Sequence, residues 1–366
     1  MSDAPIRSVL YDVQEAMGAD FVDYDGWLWT NSFGDHPKGY EAVRGGVVVW
    51  DVYPMVKWDV TGPDAPALIQ RVFTRDLSTQ QVGQVRYGPF VDPDGLMVDD
   101  GTVYKHAEDH YWVLVNTEDW GAFAREHSPD ADCTATLRTH EMPLLSLQGP
   151  SSRALLQSLT DTDLSALGYF TFAVDRPIVA GIPTWIARTG FSGEIGYELI
   201  PDRDGAVPLW NALVAGGAVP MGLDTLEPMR IEAGLVIYTS EYNPGEQTPY
   251  DLSMDKLVAL SSDADFVGKE RLAEIAAAPP ERLKSVLVAG EEVPEAGVEL
   301  VRDGTVVGVL TSVTVSPQYG TLALARIATE HADDGTELEV AGESGPLAAT
   351  VHPLSIKDPE KKLPRG

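Results

Sequence analysis

Along residues 83–116 apolar positions come in three runs broken by polar turns, a pattern that predicts a three-stranded meander. Asp92-Pro93-Asp94-Gly95 joins the first run to the second, because Pro presets φ and Gly accepts a positive one, and Ala107-Glu108-Asp109 precedes the third. A period of two in the second run puts Leu96, Val98, Asp100, Thr102 and Tyr104 on one face, and Met97, Asp99, Val103 and Lys105 on the other. Asp100 therefore shares a face with apolar neighbours. Two readings stand: a half-exposed carboxylate at a strand end, or a partly desolvated one held for chemistry or for an N–H-rich or cationic ligand. Asp99, on the opposite face, reads as a surface residue.

The remaining pattern fills in around this hairpin. Gly26-Trp27-Leu28-Trp29 is an aromatic segment, followed by a short helix near residues 39–44. Residues 47–60, VVVWDVYPMVKWDV, are β-branched and aromatic enough for one or two buried strands. A Gly-Pro turn at Gly62-Pro63 then opens a helix, and Gly149-Pro150 repeats that arrangement with Gly, Pro, Ala, Leu and Gln at the same offsets. The repeat implies two similar α/β subdomains. Residues 205–217 read as a helix with Leu209, Trp210, Leu213 and Val214 on one side, and residues 229–235 as another that ends at glycine and carries Arg230 and Glu232. From residue 283 the chain turns to short strands with frequent turns, Arg302-Asp303-Gly304 being a hairpin signal, so a small antiparallel barrel or sandwich is expected. Residues 275–282 serve as a linker, and the tail from Asp358 reads as loose.

Composition narrows the setting. There are 56 acidic against 26 basic residues in 366, a formal charge of −30. Nucleic acid and anionic membrane are thereby disfavoured as partners, and a salt-rich cytoplasm suits such a surface. No unbroken apolar run approaches the roughly 20 residues a bilayer span needs, so a cytoplasmic location is expected. Cys133 is the single cysteine, which excludes an internal disulfide and a Cys-cluster metal site. The seven histidines are scattered, and no metal site is expected. Asp92 and Asp94 lack the acid a calcium loop needs eleven positions on, where Val103 stands, so a turn is the better reading. Neither a dinucleotide fingerprint nor a Walker loop is present.

Several separated blocks carry a resemblance. They are Trp50-Asp51-Val52 with Val60-Thr61-Gly62-Pro63-Asp64-Ala65, Thr74-Arg75-Asp76-Leu77, Asp94-Gly95 through Asp99-Asp100, and Gln148-Gly149-Pro150. To these add Thr189-Gly190-Phe191-Ser192-Gly193-Glu194-Ile195-Gly196-Tyr197-Glu198, Arg230-Ile231-Glu232-Ala233-Gly234-Leu235, Phe266-Val267-Gly268-Lys269 and Ser316-Pro317. In order and spacing, from about Gly26 to Pro353, the chain resembles the folate-dependent glycine cleavage T-protein family, which includes aminomethyltransferases and tetrahydrofolate-dependent demethylases. The resemblance implies an α+β fold of two related α/β subdomains plus a C-terminal antiparallel β-barrel, in a clover leaf around a central folate channel. The boundaries it suggests are residues 1–274, with about 50–140 as one subdomain, and 283–366 for the barrel.

It further implies tetrahydrofolate as cofactor, with Asp100 near the reactive nitrogens as the catalytic group and Tyr87, Asn116, Phe191, Glu198 and Arg230 lining the folate site. Glu198 has two oxygens for the paired N–H donors of the pterin edge. Phe191 replaces a usual Tyr, so a stacking contact survives and a hydroxyl is lost. Tyr53, Met55 and Tyr238 fall on the substrate side of the channel. Tyr53-Pro54-Met55 replaces a usual Ser-His-Met, and Asp64-Ala65, Arg75-Asp76-Leu77 and Thr248-Pro249-Tyr250-Asp251 look more like the demethylase branch. Thr171 stands where the sulfonium demethylases carry a tryptophan, which weakens a sulfonium donor. The expectation is thus an enzyme moving a methyl group from a small methylated substrate to tetrahydrofolate. Its alternatives are an aminomethyltransferase of the glycine cleavage system and a non-catalytic folate-binding regulatory or assembly protein. A homo-oligomer is compatible with this reading. Without the resemblance, sequence alone favours Glu198 as a solvated strand residue and Arg230 with Glu232 as structural ion pairs; the resemblance reverses that preference.

The charge also yields a measurable expectation. Self-repulsion at −30 should weaken as salt screens it, so the melting temperature should rise from dilute buffer to molar potassium chloride. A flat or falling profile would contradict it.

Overall fold

The computed structural model describes residues 4–24, 26–342 and 345–366. Residues 47–60 form two strands, and these go to different sheets: Val48–Asp51 to one and Val56–Thr61 to the other, with the turn at Tyr53-Pro54 between them. Val56–Thr61 enters a five-stranded sheet in the order Val85–Val91, Met97–Ala107, His110–Val115, Val56–Thr61, Thr134–Leu137. The predicted meander forms its first three strands. Val48–Asp51 enters a six-stranded sheet in the order Ile178–Val179, Ile182–Ala187, Gly196–Pro201, Leu145–Gln148, Val48–Asp51, Val219–Pro220.

The period of two holds in both sheets except where the first is bulged, opposite Phe90-Val91 and at Lys105–Ala107, and each sheet has core on both faces. On the first, Phe90, Val103 and Val113 pack against Leu68, Ile69 and Trp120 of the Ala65–Gln70 and Asp119–His127 helices. On the second, Leu145, Leu147 and Leu199 pack against Leu156, Leu209, Trp210 and Leu213 of the Ser152–Gln157 and Ala206–Ala215 helices. The remaining faces meet each other: Val85, Tyr104, Trp112 and Leu114 of the first sheet share a core with Val48, Trp50 and Ile200 of the second. The Gly-Pro repeat is real in space, since each copy turns through a glycine at positive φ, 131° at Gly62 and 116° at Gly149. Each helix begins two residues past its proline.

Helix packing on the first sheet corrects one expectation. Asp99 is not a surface residue; with Val103 it lies on the helix-covered face of the first sheet, and its exposure is 0%.

At the N-terminal end, Ile6–Arg7, Asp20–Tyr24 and Trp27–Ser32 make a small sheet that holds the aromatic segment. At the other, Glu281–Val288, Gly320–Ala328, Thr305–Ser316, Glu299–Arg302, Glu337–Val340 and Leu347–His352 close into an antiparallel barrel. Its Asp303-Gly304 turn has φ of 51° and 77°, as a tight hairpin requires. The tail, expected to be loose, is anchored twice. Within it, the Leu363 N–H donates to the Asp358 carboxylate at 2.7 Å, and from outside it Arg188 donates to the Arg365 carbonyl. The second anchor comes from 177 positions earlier, so local composition did not show it.

The Leu223–Glu232 helix joins these units. It ends at Gly234, whose φ is 61° and where a Cβ would lie 2.2 Å from the Leu354 carbonyl oxygen, so only glycine fits. Glu232, fully buried, accepts from Tyr40 Oη and Ser316 Oγ on one oxygen, each at 2.6 Å, and from Arg44 on the other, also at 2.6 Å. Arg44 reaches on to Glu194 at 3.0 Å. Glu232→Ala would leave Arg44 buried beside a cavity, and a loss of about 3–5 kcal/mol is expected by chemical denaturation. A loss under about 1 kcal/mol, as for a surface pair, would contradict this role.

Candidate functional site

The two sheets, the N-terminal sheet and the tail enclose a cavity of about 1890 Å³. Tyr87, Asp100 and Asn116 reach it from the first sheet, Trp50, Ser146 and Glu198 from the second, and Trp27 and Trp29 from the N-terminal sheet. Residues 233–240 and 252–257 line another side. Among the described residues no barrel strand contributes to the lining; closure on that side comes from the segment after the barrel, including Leu354, Lys357, Lys361 and Arg365.

At the hairpin end, Asp100 is 8% exposed and held on both oxygens. Tyr87 Oη donates to Oδ2 at 2.9 Å, Tyr242 Oη to Oδ1 at 2.5 Å, and Asn116 Nδ2 to Oδ1 at 3.2 Å. Behind it Asp99 accepts five hydrogen bonds. Oδ1 takes Asp100 N (2.8 Å), Asn116 N (3.2 Å) and Asn116 Nδ2 (2.7 Å), and Oδ2 takes Thr117 N and Oγ1, both at 3.1 Å. Asp99 thus fixes the Asn116 amide, and that amide in turn touches Asp100.

Burial raises Asp100 above the ordinary carboxylate range, against the pull of its Tyr242, Tyr87 and Asn116 donors. Burial, and then the charge of Asp100, push Asp99 up to about 7. Tyr87 and Tyr242 are raised well above the usual phenol value by burial and the neighbouring carboxylate, so both remain donors.

Across the cavity Glu198 is positioned by strand register opposite Ser146 and Ala187. Its Oε2 accepts from Tyr104 at 3.0 Å, a bond that crosses between the sheets, and from Thr189 Oγ1 at 2.5 Å. Its Oε1 accepts no hydrogen bond from the described residues. Burial raises its pKa, with Thr189, Tyr104 and then Lys57 opposing. Lys57, fully buried behind this wall, donates to the Tyr53 carbonyl at 2.6 Å and is pushed down to about 7 by burial. Gly190 and Gly196 leave room for the Gln148 amide, which would lie 2.1 Å from a Cβ at either position and which holds the Thr189 carbonyl and Ser192 hydroxyl.

Of the residues singled out in the sequence, Tyr87, Asp100, Asn116, Phe191, Glu198, Met55 and Tyr238 line this one cavity. Tyr53 and Arg230 do not. Tyr53 is fully buried with its hydroxyl on the His140 carbonyl at 2.6 Å and under Arg203, because the turn between the two strands carries its side chain into the wall. Arg230, 1% exposed, is spent on Glu241 and Glu227, both at 2.9 Å, and on Ser312 Oγ at 2.6 Å. Sequence reasoning missed Asp99, Tyr104, Thr189 and Tyr242 as site-building residues. Asp99 and Tyr104 carried a signal, since they lie on the same strand as the singled-out carboxylate; Tyr242 carried none. Among the described residues no group of three or more His, Cys, Asp and Glu could hold a metal. His106 and His110 instead stack at 4.9 Å in an aromatic cluster, and Asp92 caps its own turn.

Known proteins share this architecture and sequence. A family profile described as the GCVT N-terminal domain matches residues 10–262, and one described as the glycine cleavage T-protein C-terminal barrel domain matches residues 282–358. An aminomethyltransferase of Streptomyces avermitilis is 34% identical over 376 residues, covering 96% of this chain and 98% of that protein. A probable aminomethyltransferase of Haloarcula marismortui is 34% identical over 361 residues, covering 94% and 97%. The crystal structure of glycine cleavage system aminomethyltransferase T from Bartonella henselae superposes with a TM-score of 0.87 at 23% identity, covering 96% of this chain and 98% of that one, which is a likeness of fold.

Asp99→Asn is expected to destabilise the protein by about 1–3 kcal/mol, because an NH2 group with two N–H donors replaces an oxygen that accepts hydrogen bonds in a buried site. Thermal or chemical denaturation reads this directly, and an unchanged stability would show that the five-donor cluster is not rigid.

Proposed function

From the glycine cleavage T-protein family, to which this chain belongs, we propose that it transfers a one-carbon unit to reduced folate, with an aminomethyl group as the unit moved. The single observation that carries the proposal is the pair of carboxylates facing one cavity, Asp100 with both oxygens held and Glu198 with one oxygen open. Methyl transfer was the first expectation from the sequence. Relatives named aminomethyltransferase that span 94–96% of the chain favour the alternative. The departure at Tyr53 also loses weight, since its side chain lies in the wall and leaves only Pro54 and Met55 of that segment on the cavity.

Cavity size supports two ligands. Sites for one small ligand are roughly 300–1,000 Å³, and this one, at about 1890 Å³, has room for a folate and a donor together. Reduced folate supplies the amine nitrogens that take up the carbon. The chain's residues do the rest: Glu198 offers its open oxygen to an N–H-rich edge, Phe191 an aromatic face, and Asp100 a carboxylate that orients the reacting end and relays a proton displaced from the folate amines to the departing amine, which leaves as ammonia while the second proton leaves with the donor's sulfur as a thiol. Tyr87 keeps that carboxylate aimed. Met55 and Tyr238 line the donor side of the same cavity.

Incubation with tetrahydrofolate and a panel of aminomethyl thioethers, methylated amines and sulfonium compounds, with the folate product identified by mass, tests this reading. Methylene-folate with ammonia is expected; methyl-folate would reinstate the demethylase reading, and tight binding without product would mark a folate-binding regulator. Asp100→Asn should lower turnover by about 10²–10⁴-fold, the range of a lost acid–base group, with far less change in folate affinity. An unchanged rate would remove Asp100 from the chemistry.

A further inference from the structure

Tyr242 has no part in the proposed transfer, yet it makes the closest contact to Asp100. It is 1% exposed, lies outside the cavity lining, and reaches Asp100 Oδ1 from 142 residues along the chain. Its ring packs among Met97, Leu252, Leu322 and Leu324, edge-on to Tyr238 at 5.7 Å and 86°. What holds its backbone is the residue before it. Glu241, fully buried, accepts from Arg230 at 2.9 Å, from Ser312 and Thr311 of the barrel, and from the Ile237 N–H at 2.7 Å. Its carbonyl takes Arg326 of the barrel at 2.7 Å. The turn closes with Thr239 N–H on the Tyr242 carbonyl at 2.9 Å.

We infer that Tyr242 is a positioning residue for Asp100, and that Arg230 serves the site by fixing Glu241 and so this turn. The inference rests on the reading of Asp100 given above and extends it to residues that touch neither folate nor donor. A carboxylate turns easily about its last torsion, which is broad and two-fold. Tyr87 restrains one oxygen from the neighbouring strand; Tyr242 restrains the other from the barrel side. The groups facing Asp100 are therefore Asp99 on its own strand, Tyr87 on the next, Asn116 after the third, and Tyr242 with Glu241 from the turn. Burial and then the Glu241 charge disfavour its ionised form, and the two phenols and the amide favour it.

This can be read on the free protein. With aspartate labelled at Cγ, the Asp100 resonance is the one lost in Asp100→Asn. In Tyr242→Phe its titration midpoint should move upward by about 1–2 pH units, the scale of one hydrogen bond to a charged group. The acidic limb of the pH–rate profile should move with it, which a purely structural role would not produce. An unmoved midpoint would overturn the inference. Should Tyr242→Phe fold poorly, tyrosine labelled at Cζ in the wild type gives the same answer. Two resonances, those of Tyr87 and Tyr242, should follow the Asp100 titration and lose that step in Asp100→Asn, and a single one would overturn it. Both titrations need no folate, so failure to bind folate would undo the proposed function and leave this result readable.

Discussion

Arg230 and Glu232 lie two residues apart on one helix, almost wholly out of water; Glu232 is neutralised by Arg44 from far along the chain, and Arg230 by its neighbours Glu227 and Glu241, while both also reach the barrel. Glu232 draws in Arg44 and Tyr40 from the His36–Gly45 helix and Ser316 from the barrel; Arg230 draws in Glu241 from the following turn and Ser312 from the barrel. Buried charge is costly unless paired, so these contacts cannot open one at a time. The barrel strands line none of the cavity among the described residues, yet through this helix they fix the segments that do. The arrangement of the units, and hence the shape of the cavity, depends on that constraint.

Asp100 shows the same logic on a smaller scale. It sits on a face that the two sheets bury between them, and it faces a cavity only because the chain between the sheets leaves one. Asp99, one residue away, takes five donors and in doing so orients Asn116. Adjacent acids on one strand thus divide the work: one organises the loop behind the site, the other is presented to it. Neutral donors around both keep them tolerable in a place where two full charges would repel strongly.

Much of this was legible in the sequence. The turn at Asp92-Pro93-Asp94-Gly95, the Gly-Pro repeat and the hairpins of the barrel carry local chemistry, and all form where it placed them. The period of two sorted Asp99 and Asp100 onto opposite faces correctly, but periodicity says which residues share a face and not what covers it. A second sheet and two helices cover these faces, so both acids are buried. Tyr53 and Arg230 failed as cavity residues for a related reason: a motif marks a position, and the direction of its side chain is decided by a turn or by a partner elsewhere in the chain. Tyr242 lay beyond sequence reasoning altogether, since its partner is 142 positions earlier. The tail looked loose because Arg188, which anchors its end, stands far away in the sequence.

The central claim is that one cavity holds a reduced folate between Glu198 and Asp100. A crystal structure with tetrahydrofolate bound tests it most directly. The account requires the amino-pyrimidine edge of the pterin on the open oxygen of Glu198 and the reactive nitrogens on the side of Asp100, with room left toward Met55 and Tyr238. A pterin ring seated elsewhere, or a cavity that stays without folate at saturating concentration, would contradict it.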